Sequence, residues 1–283
     1  MFVFKSIKLL QDHLSENRPK FGKVGYVPTM GALHQGHLDL IAASKAKGCY
    51  TVCTIYVNPT QFNNTEDFEK YPSTIEQDIV KLTQNQCDVL FLPSSAEMYG
   101  AQVVADKYNF GAVTNSFEGA LRPGHFDGVI TIVSKLFEAV KPDAVFFGQK
   151  DLQQCMVVKH LINKRFSNIQ MNIVPTKRES SGLAMSSRNV RLTDDERAVA
   201  IRLYEALLFV KQQVLAGVSA SEVISIAKAQ WLNHPKLKLE YLALVDADTM
   251  EQHELVRPEI HYAVIIACWC SNVRLIDNVL LTD

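Results

Sequence analysis

His34 and His37 stand three residues apart in the string Pro28-Thr29-Met30-Gly31-Ala32-Leu33-His34-Gln35-Gly36-His37, between a short β-type run and an amphipathic stretch. Residues i and i+3 of a helix share a face, so both imidazoles are expected to look out of one helix N-terminus. That end carries free backbone N–H groups and partial positive charge, which suit phosphate. Imidazoles add donors that can follow negative charge as it develops. Gly31 and Gly36 let backbone approach a ligand closely. The simplest reading is a nucleotide phosphate site. A metal site from His34, His37 and His125 is the alternative, although the spacing is not H-E-x-x-H and no carboxylate lies nearby in sequence.

Other polar clusters carry suitable residue types. Gln61 lies in Asn58-Pro59-Thr60-Gln61-Phe62 and equally reads as a polar loop residue after a turn former. In Gly148-Gln149-Lys150-Asp151, Lys150 can reach phosphate as a point charge. The plainer reading is a solvated lysine beside Asp151 acting as an N-cap. Ser186-Ser187-Arg188-Asn189 offers hydroxyls and an arginine, which can hold an anion through two parallel donors, or forms an ordinary turn. Arg122-Pro123-Gly124-His125 is a stiff turn with two groups able to carry positive charge, or a simple connection. The common phosphate-loop and dinucleotide glycine fingerprints are absent, and so is the G-x-S-x-G nucleophile motif.

The elements that must position these clusters alternate. β-type runs fall at Lys23–Val27, Tyr50–Val57, Asp88–Leu92, Ala144–Phe147 and Ile169–Val174. Helical patterns fall between them: Leu38–Lys47, Thr74 to about Gln86 opened by a capping box, Phe126–Val140 and Asp151–Phe166. Near-continuous apolar strands with intervening helices predict a doubly wound, mostly parallel, Rossmann-like α/β domain over residues 1–176. The clusters after these strands then sit at the carboxyl rim, the usual ligand crevice. Beyond Pro175 the pattern becomes α+β. A capping box at Thr193–Glu196 opens one long helix to about Ala216. A second helix runs from Ser219 toward Pro235, and strands follow at Leu239–Val245 and Ala263–Cys270. Residues 177–283 are read as a smaller α+β domain acting as a lid. Asn63–Lys70 and Ala101–Glu118 are the longest irregular stretches and are expected to be mobile loops.

Bulk composition narrows the classes. The 283 residues are 47% hydrophobic, with 29 basic and 30 acidic side chains and a formal net charge of −1. That balance gives no electrostatic case for nucleic acid or anionic membrane as main partner. Six cysteines form no C-x-x-C pair, and Cys49, Cys53 and Cys268 lie in apolar runs. Reduced, buried thiols and a cytoplasmic location are expected. Lys5 and Lys8 break the apolar start, and no window approaches the ~20 apolar residues of a membrane span.

Taken in order, these clusters resemble the pantoate–β-alanine ligase family, whose P-T-M-G-A-L-H-x-G-H motif is matched by Pro28 to His37. That motif is a variant of the H-x-G-H signature of nucleotidyltransferases and class I synthetases. Asn58 to Phe62, Glu66-Asp67-Phe68 with Tyr71-Pro72, Arg122 to Gly128, Phe147 to Gln154 and Gly182 to Asn189 match further family segments. Departures are Gln35 where glutamate is usual, Ser73 for arginine, Ser181 for aspartate, and Asn63-Asn64 in place of a glycine-containing loop.

The resemblance implies an ATP-dependent ligase joining pantoate to β-alanine through an enzyme-bound pantoyl adenylate, with release of pyrophosphate and AMP. It implies His34, His37 and Lys150 as catalytic groups, with His37 as proton donor. ATP would be held by Met30, Gly31, His34, His37, Gly148, Gln149, Lys150, Asp151, Lys177 through its main chain, Met185, Ser186, Ser187 and Arg188. Gln61 and Gln154 resemble the pantoate and β-alanine ligands. Mg²⁺ would accompany ATP, with Asp78 at a metal-linked position. Relatives are homodimers, and the apolar Tyr50–Val57 run is expected to contribute the interface. Two other readings stay open here: a nucleotidyltransferase acting on a phosphorylated acceptor, and a nucleotide-binding module without turnover.

Overall fold

In a computed structural model of the chain, residues 1–63, 68, 69 and 71–282 are described. Asn64, Thr65, Glu66, Asp67 and Lys70 lie outside them, and with them most of the expected Asn63–Lys70 loop and the Glu66-Asp67 motif. The chain forms two compact units, Met1–Gly148 with Val157–Pro175, and Gln149–Met156 with Thr176–Asp283. Among the described residues no helix is long and apolar enough to cross a membrane.

The first unit is built on six strands: β1 (Phe2–Phe4), β2 (Val24–Thr29), β3 (Tyr50–Ile55), β4 (Val89–Phe91), β5 (Ala144–Gly148) and β6 (Gln170–Val174). Their order is β1-β4-β3-β2-β5-β6, and every pairing is parallel. β2, β3 and β4 are almost wholly buried because helices cover the sheet. Val27, Ile41, Leu82, Leu90 and Phe146 share one core cluster. Chain order runs outward from β2 through β3 to β4 on one side and through β5 to β6 on the other. The reversal lies between β2 and β5, the topological switch point where such sheets place ligands.

The second unit carries an antiparallel sheet of β7 (Leu237–Asp246), β8 (Tyr262–Cys270) and β9 (Val273–Leu280). Helices Asp194–Ala200, Arg202–Leu215 and Ala220–Ala227 contribute Ala200, Leu203, Leu207, Val210 and Val223 to a core shared with Leu244, Val264 and Ile266 of the sheet.

The structure corrects several expectations. β1 is a sixth strand, too short for a periodic signal. β9 is an additional strand whose alternation is masked by the polar pair Asp277-Asn278. The long helix after Thr193 is interrupted at Ile201, with no Pro or Gly to announce the break. The Thr193–Glu196 capping box forms. The one at Thr74 does not, and there the Thr74 hydroxyl donates to Asp78 Oδ2 at 3.1 Å. The stretch 101–118 contains the short helix Ala112–Asn115 and the start of Phe117–Leu121. The Tyr50–Val57 run cannot supply a subunit interface: β3 lies inside the sheet between β2 and β4, and residues 51–56 are buried.

Candidate active site

The loop after β2 brings the imidazole pair together. The helix begins at Gln35 and ends at Ala46, so His34 is its extended N-cap residue rather than a helical one, and His37 lies in the first turn. Their ring centroids are 4.0 Å apart. The His34 amide donates to His37 Nδ1 at 3.3 Å. An Nδ1 that accepts leaves the ring proton on Nε2, so His37 is set as the Nε2–H tautomer, a donor on its far edge.

The approach to His34 is unusual backbone. Gly31 and Ala32 both have positive φ, 84° and 49°. For alanine that conformation costs about 1 kcal/mol or more, so something must hold it. The holder is helix Ile75–Gln84. The wholly buried Asp78 accepts the Ala32 amide at Oδ2 (2.9 Å) and the Leu33 amide at Oδ1 (2.8 Å). One turn later Lys81 Nζ donates to the Leu33 carbonyl at 2.6 Å. A carboxylate nested in consecutive backbone amides is the arrangement that otherwise binds a phosphate; here the chain supplies its own anion. The Gly31 amide donates to Thr29 Oγ1 at 3.2 Å. The amides of residues 31–33 are therefore committed inside the protein and are not donors to an anion.

Gln61 closes the turn Pro59–Gln61 after β3. Its Nε2 lies 3.0 Å from Met30 Sδ, and its Oε1 accepts from Asn58 Nδ2 at 3.2 Å. Asn58 is itself buried and fixed by Tyr99 Oη (2.6 Å) and the Gly128 carbonyl (3.1 Å). The Gln61 carbonyl lies 2.8 Å from His125 Nδ1, whose Nε2 faces Arg122 Nη1 at 3.2 Å. Arginine only donates, so Nε2 accepts and Nδ1–H donates to Gln61. Arg122 also pairs with Glu118 at 3.6 Å. The Arg122–His125 turn, read from sequence as a connection or a metal ligand, holds Gln61. Helix His125–Val140 approaches so closely that a Cβ on Gly128 would lie 2.3 Å from the Thr60 carbonyl oxygen.

Gly148 ends β5 in the first unit, and Gln149, Lys150 and Asp151 form a 3₁₀ turn in the second. Asp151 is the last residue of that turn and immediately precedes helix Leu152–Arg165, and its carboxylate is 3.4 Å from Lys150 Nζ. Gln154 is half-buried in the first turn of helix Leu152–Arg165. Lys177 is exposed, and its carbonyl accepts the Met185 amide at 2.9 Å. The Arg178–Ala184 bridge continues this hairpin, which leads into Ser186, Ser187 and Arg188. Ser186 Oγ accepts the Arg188 amide at 3.3 Å and opens the 3₁₀ helix Ser187–Arg191. Asn189 Nδ2 ties this segment to the Ala184 carbonyl at 3.0 Å, and Arg197 pairs with Glu179 at 2.5 Å.

Of the expected site residues, Met30, Gly31, His34, His37, Gln61, Asp78 and Gly148 belong to the first unit, and Gln149, Lys150, Asp151, Gln154, Lys177, Met185, Ser186, Ser187 and Arg188 to the second. Sequence reasoning missed Lys81, Tyr99, Asp277 and Asn278. For Lys81 a signal exists: Thr74, Asp78 and Lys81 form a polar stripe at i, i+4 and i+7 on one helix face. Gln35, a departure from the family motif, donates to Asp39 at 2.8 Å on the exposed face of its helix.

Comparison with known proteins agrees with these motifs. The profile of the Pantoate-beta-alanine ligase family matches residues 2–280. A pantothenate synthetase of Cytophaga hutchinsonii is 42% identical over 282 residues, covering 99% of each chain. One from Christiangramia forsetii is 37% identical over the full length of both. The crystal structure of pantothenate synthetase from Thermus thermophilus superposes with a TM-score of 0.92 at 35% identity, covering 100% of both chains. That of the pantoate–β-alanine ligase from Francisella tularensis, complexed with beta-gamma ATP and β-alanine, gives 0.82 at 34% identity, covering 100% of this chain and 98% of that one. On this full-length similarity, the chain belongs to the pantoate–β-alanine ligase family and is a ligase.

Proposed function

We propose that the chain makes pantothenate in two half-reactions on one ATP. A pantoate carboxylate oxygen attacks the α-phosphorus, the bond from that phosphorus to the bridging oxygen breaks, and pyrophosphate leaves. The β-alanine amine then attacks the adenylate's acyl carbon and loses a proton, and AMP departs. The observation that carries the reading is the His37 tautomer. With Nδ1 accepting the His34 amide, Nε2–H is a fixed donor for negative charge building on the phosphates. The loop below it is already tied by Asp78 and Lys81, which lessens the ordering that has to accompany the chemistry.

Lys150, Ser186, Ser187 and Arg188 supply further donors to the phosphate chain. Met30 and Gly31 line the nucleotide, with Gly31 limited to its carbonyl because its amide is committed. Gly148, Gln149, Asp151, Lys177 and Met185 complete the nucleotide contacts. Gln61 and Gln154 offer amides to a substrate with hydroxyls and a carboxylate. The complex described for the Francisella protein supports ATP and β-alanine as ligands.

Mg²⁺ held directly by the protein does not fit these residues. Both Asp78 oxygens are engaged by backbone amides in a buried site. Among the described residues no three His, Cys, Asp or Glu side chains converge to hold a metal. A magnesium ion travelling with ATP would keep phosphate and water as its ligands. The working assembly is proposed to be a homodimer in the cytoplasm.

The test is ATP–pyrophosphate exchange. Exchange must require pantoate and proceed without β-alanine. Exchange supported equally by other small carboxylates would contradict the proposal.

A further inference from the structure

Asp277 and Asn278 are neighbours on β9, so their side chains leave the strand on opposite faces. Both are buried and polar. Asp277 grips Arg178 with two parallel bonds, Nη1 to Oδ2 at 2.6 Å and Nη2 to Oδ1 at 3.0 Å. Arg178 also donates to the carbonyls of Gly182 (3.1 Å) and Asn278 (3.1 Å), and its guanidinium lies 3.8 Å from the centre of the Tyr204 ring. Burial pushes the Asp277 carboxyl up from its ordinary range, and Arg178 pulls it back. This cluster fixes the hairpin that delivers Met185 to Arg188.

On the other face the Asn278 carboxamide holds the turn that carries Lys150. Its Nδ2 donates to the Gln149 carbonyl at 2.9 Å and to the Lys150 carbonyl at 2.9 Å, and its Oδ1 accepts from Gln149 Nε2 at 3.1 Å. Both amide protons are used, each on one of two successive peptide units. The Lys150 backbone is thereby held by a residue 128 positions away in sequence. Only asparagine or glutamine can do this, since the carbonyls need donors while Gln149 Nε2 needs an acceptor.

We propose that Asn278 is a positioning residue for the Lys150 ammonium, acting through the Gln149 and Lys150 carbonyls. Asp277 performs the same service for the hairpin that leads to Arg188. The inference rests on the ATP reading above, in which Lys150 meets the phosphates. A long lysine stem orders usefully only if its Cα is already fixed, and misplacement by about 1 Å costs on the order of 10²-fold.

A double-variant cycle tests it, read by pantoate-dependent ATP–pyrophosphate exchange and by the melting temperature of each purified protein. Asn278→Ala should slow exchange by roughly 10- to 100-fold while leaving the KM for pantoate within about twofold. Asn278→Ser keeps one donor and should fall between; it carries the test if the alanine variant does not fold. In a Lys150→Ala background the same Asn278 substitution should change the rate by less than about threefold, because coupled residues are not additive. Two results overturn the proposal: folded Asn278 variants exchanging at the parental rate, or losses from the two sites that simply multiply. A Lys150→Ala protein at the parental rate would remove the ATP reading itself, and that is visible before any Asn278 variant is measured.

Discussion

Asp78 gives the most demanding prediction. Its carboxylate accepts two backbone amides, at 2.9 and 2.8 Å, and the Thr74 hydroxyl at 3.1 Å, in a site with no solvent exposure. Asp78→Ala removes the acceptor and strands two amide donors, at about 1–3 kcal/mol each. The left-handed Ala32 then loses the contact that offsets its strain, another ~1 kcal/mol. The local cost is roughly 3–7 kcal/mol, a range that includes the cost of unpairing a buried ion pair. The loop has an escape, because residues 31–33 can relax to ordinary dihedrals and seek water. The expected outcome is therefore a rearranged loop in a folded protein. His34 follows directly, so exchange should fall by at least about 10²-fold. Asp78→Asn keeps the size and one acceptor but turns an NH₂ toward an amide N–H, and should fall between alanine and parent. The assay is pantoate-dependent exchange measured across a Mg²⁺ titration, with circular dichroism to confirm folding. An anchoring carboxylate lowers the rate at every Mg²⁺ concentration and leaves the half-saturating concentration unchanged. If Asp78→Asn instead exchanged at the parental rate once Mg²⁺ was raised, the carboxylate would be serving the metal, and the anchoring argument would be wrong.

Three further outcomes follow from the geometry. His37→Ala should slow adenylation by ~10²–10³-fold, the loss typical of one transition-state donor, with an unchanged melting temperature; an unaltered rate in stopped-flow would remove His37 from the chemistry. Gly128→Ala forces a methyl against the Thr60 carbonyl at 2.3 Å, where backbone cannot yield. It should destabilise by about 1–3 kcal/mol and raise the KM for pantoate through displaced Gln61, and a parental KM would count against Gln61 as a ligand. Glu196 accepts the Thr193 amide at 2.9 Å, and this bond, helped by Ser271, holds its carboxyl below the ordinary glutamate value. That contribution is complete above pH ~4.3 and is lost as pH falls through the lowered native value. Glu196→Gln should flatten the acid limb of a denaturant-stability profile below that pH, and a parallel limb would refute the assignment.

How far the sequence carried the reading depended on whether each feature had a local cause. β2 and β3 were legible because strands covered on both faces must be continuously apolar. The capping box at Thr193 was legible because all its partners lie within four residues. β9 was not, since Asp277 and Asn278 interrupt its alternation and make sense only beside Arg178 and the Gln149–Lys150 turn. Thr74 misled for a related reason: its hydroxyl is turned to donate to the buried Asp78 carboxylate, and it makes no bond to the first-turn amides. His34 and His37 were placed correctly as a pair, but the tautomer of His37 needed the extended N-cap geometry of His34. The role of His125 was likewise hidden, because its partner is a backbone carbonyl 64 residues upstream.

Asp78 and Asp277 solve one problem in two settings. On the proposed ATP reading, a loop that presents donors to a polyanion cannot be ordered by its own cations without spending them. In the first unit a buried carboxylate takes up the backbone amides of residues 32 and 33, so the loop is fixed through its main chain and not through its imidazoles. In the second a buried carboxylate takes up Arg178, which in turn holds the Gly182 carbonyl, so the brace of the hairpin comes from Arg178 and lies upstream of Arg188. Each internal anion lies beneath a loop and fixes it before substrate arrives, the condition under which donors act without reorganising. Replacing either aspartate should therefore depress the adenylation rate more than substrate affinity. A uniform rise in KM at constant kcat would show that the loops are ordered by ATP instead.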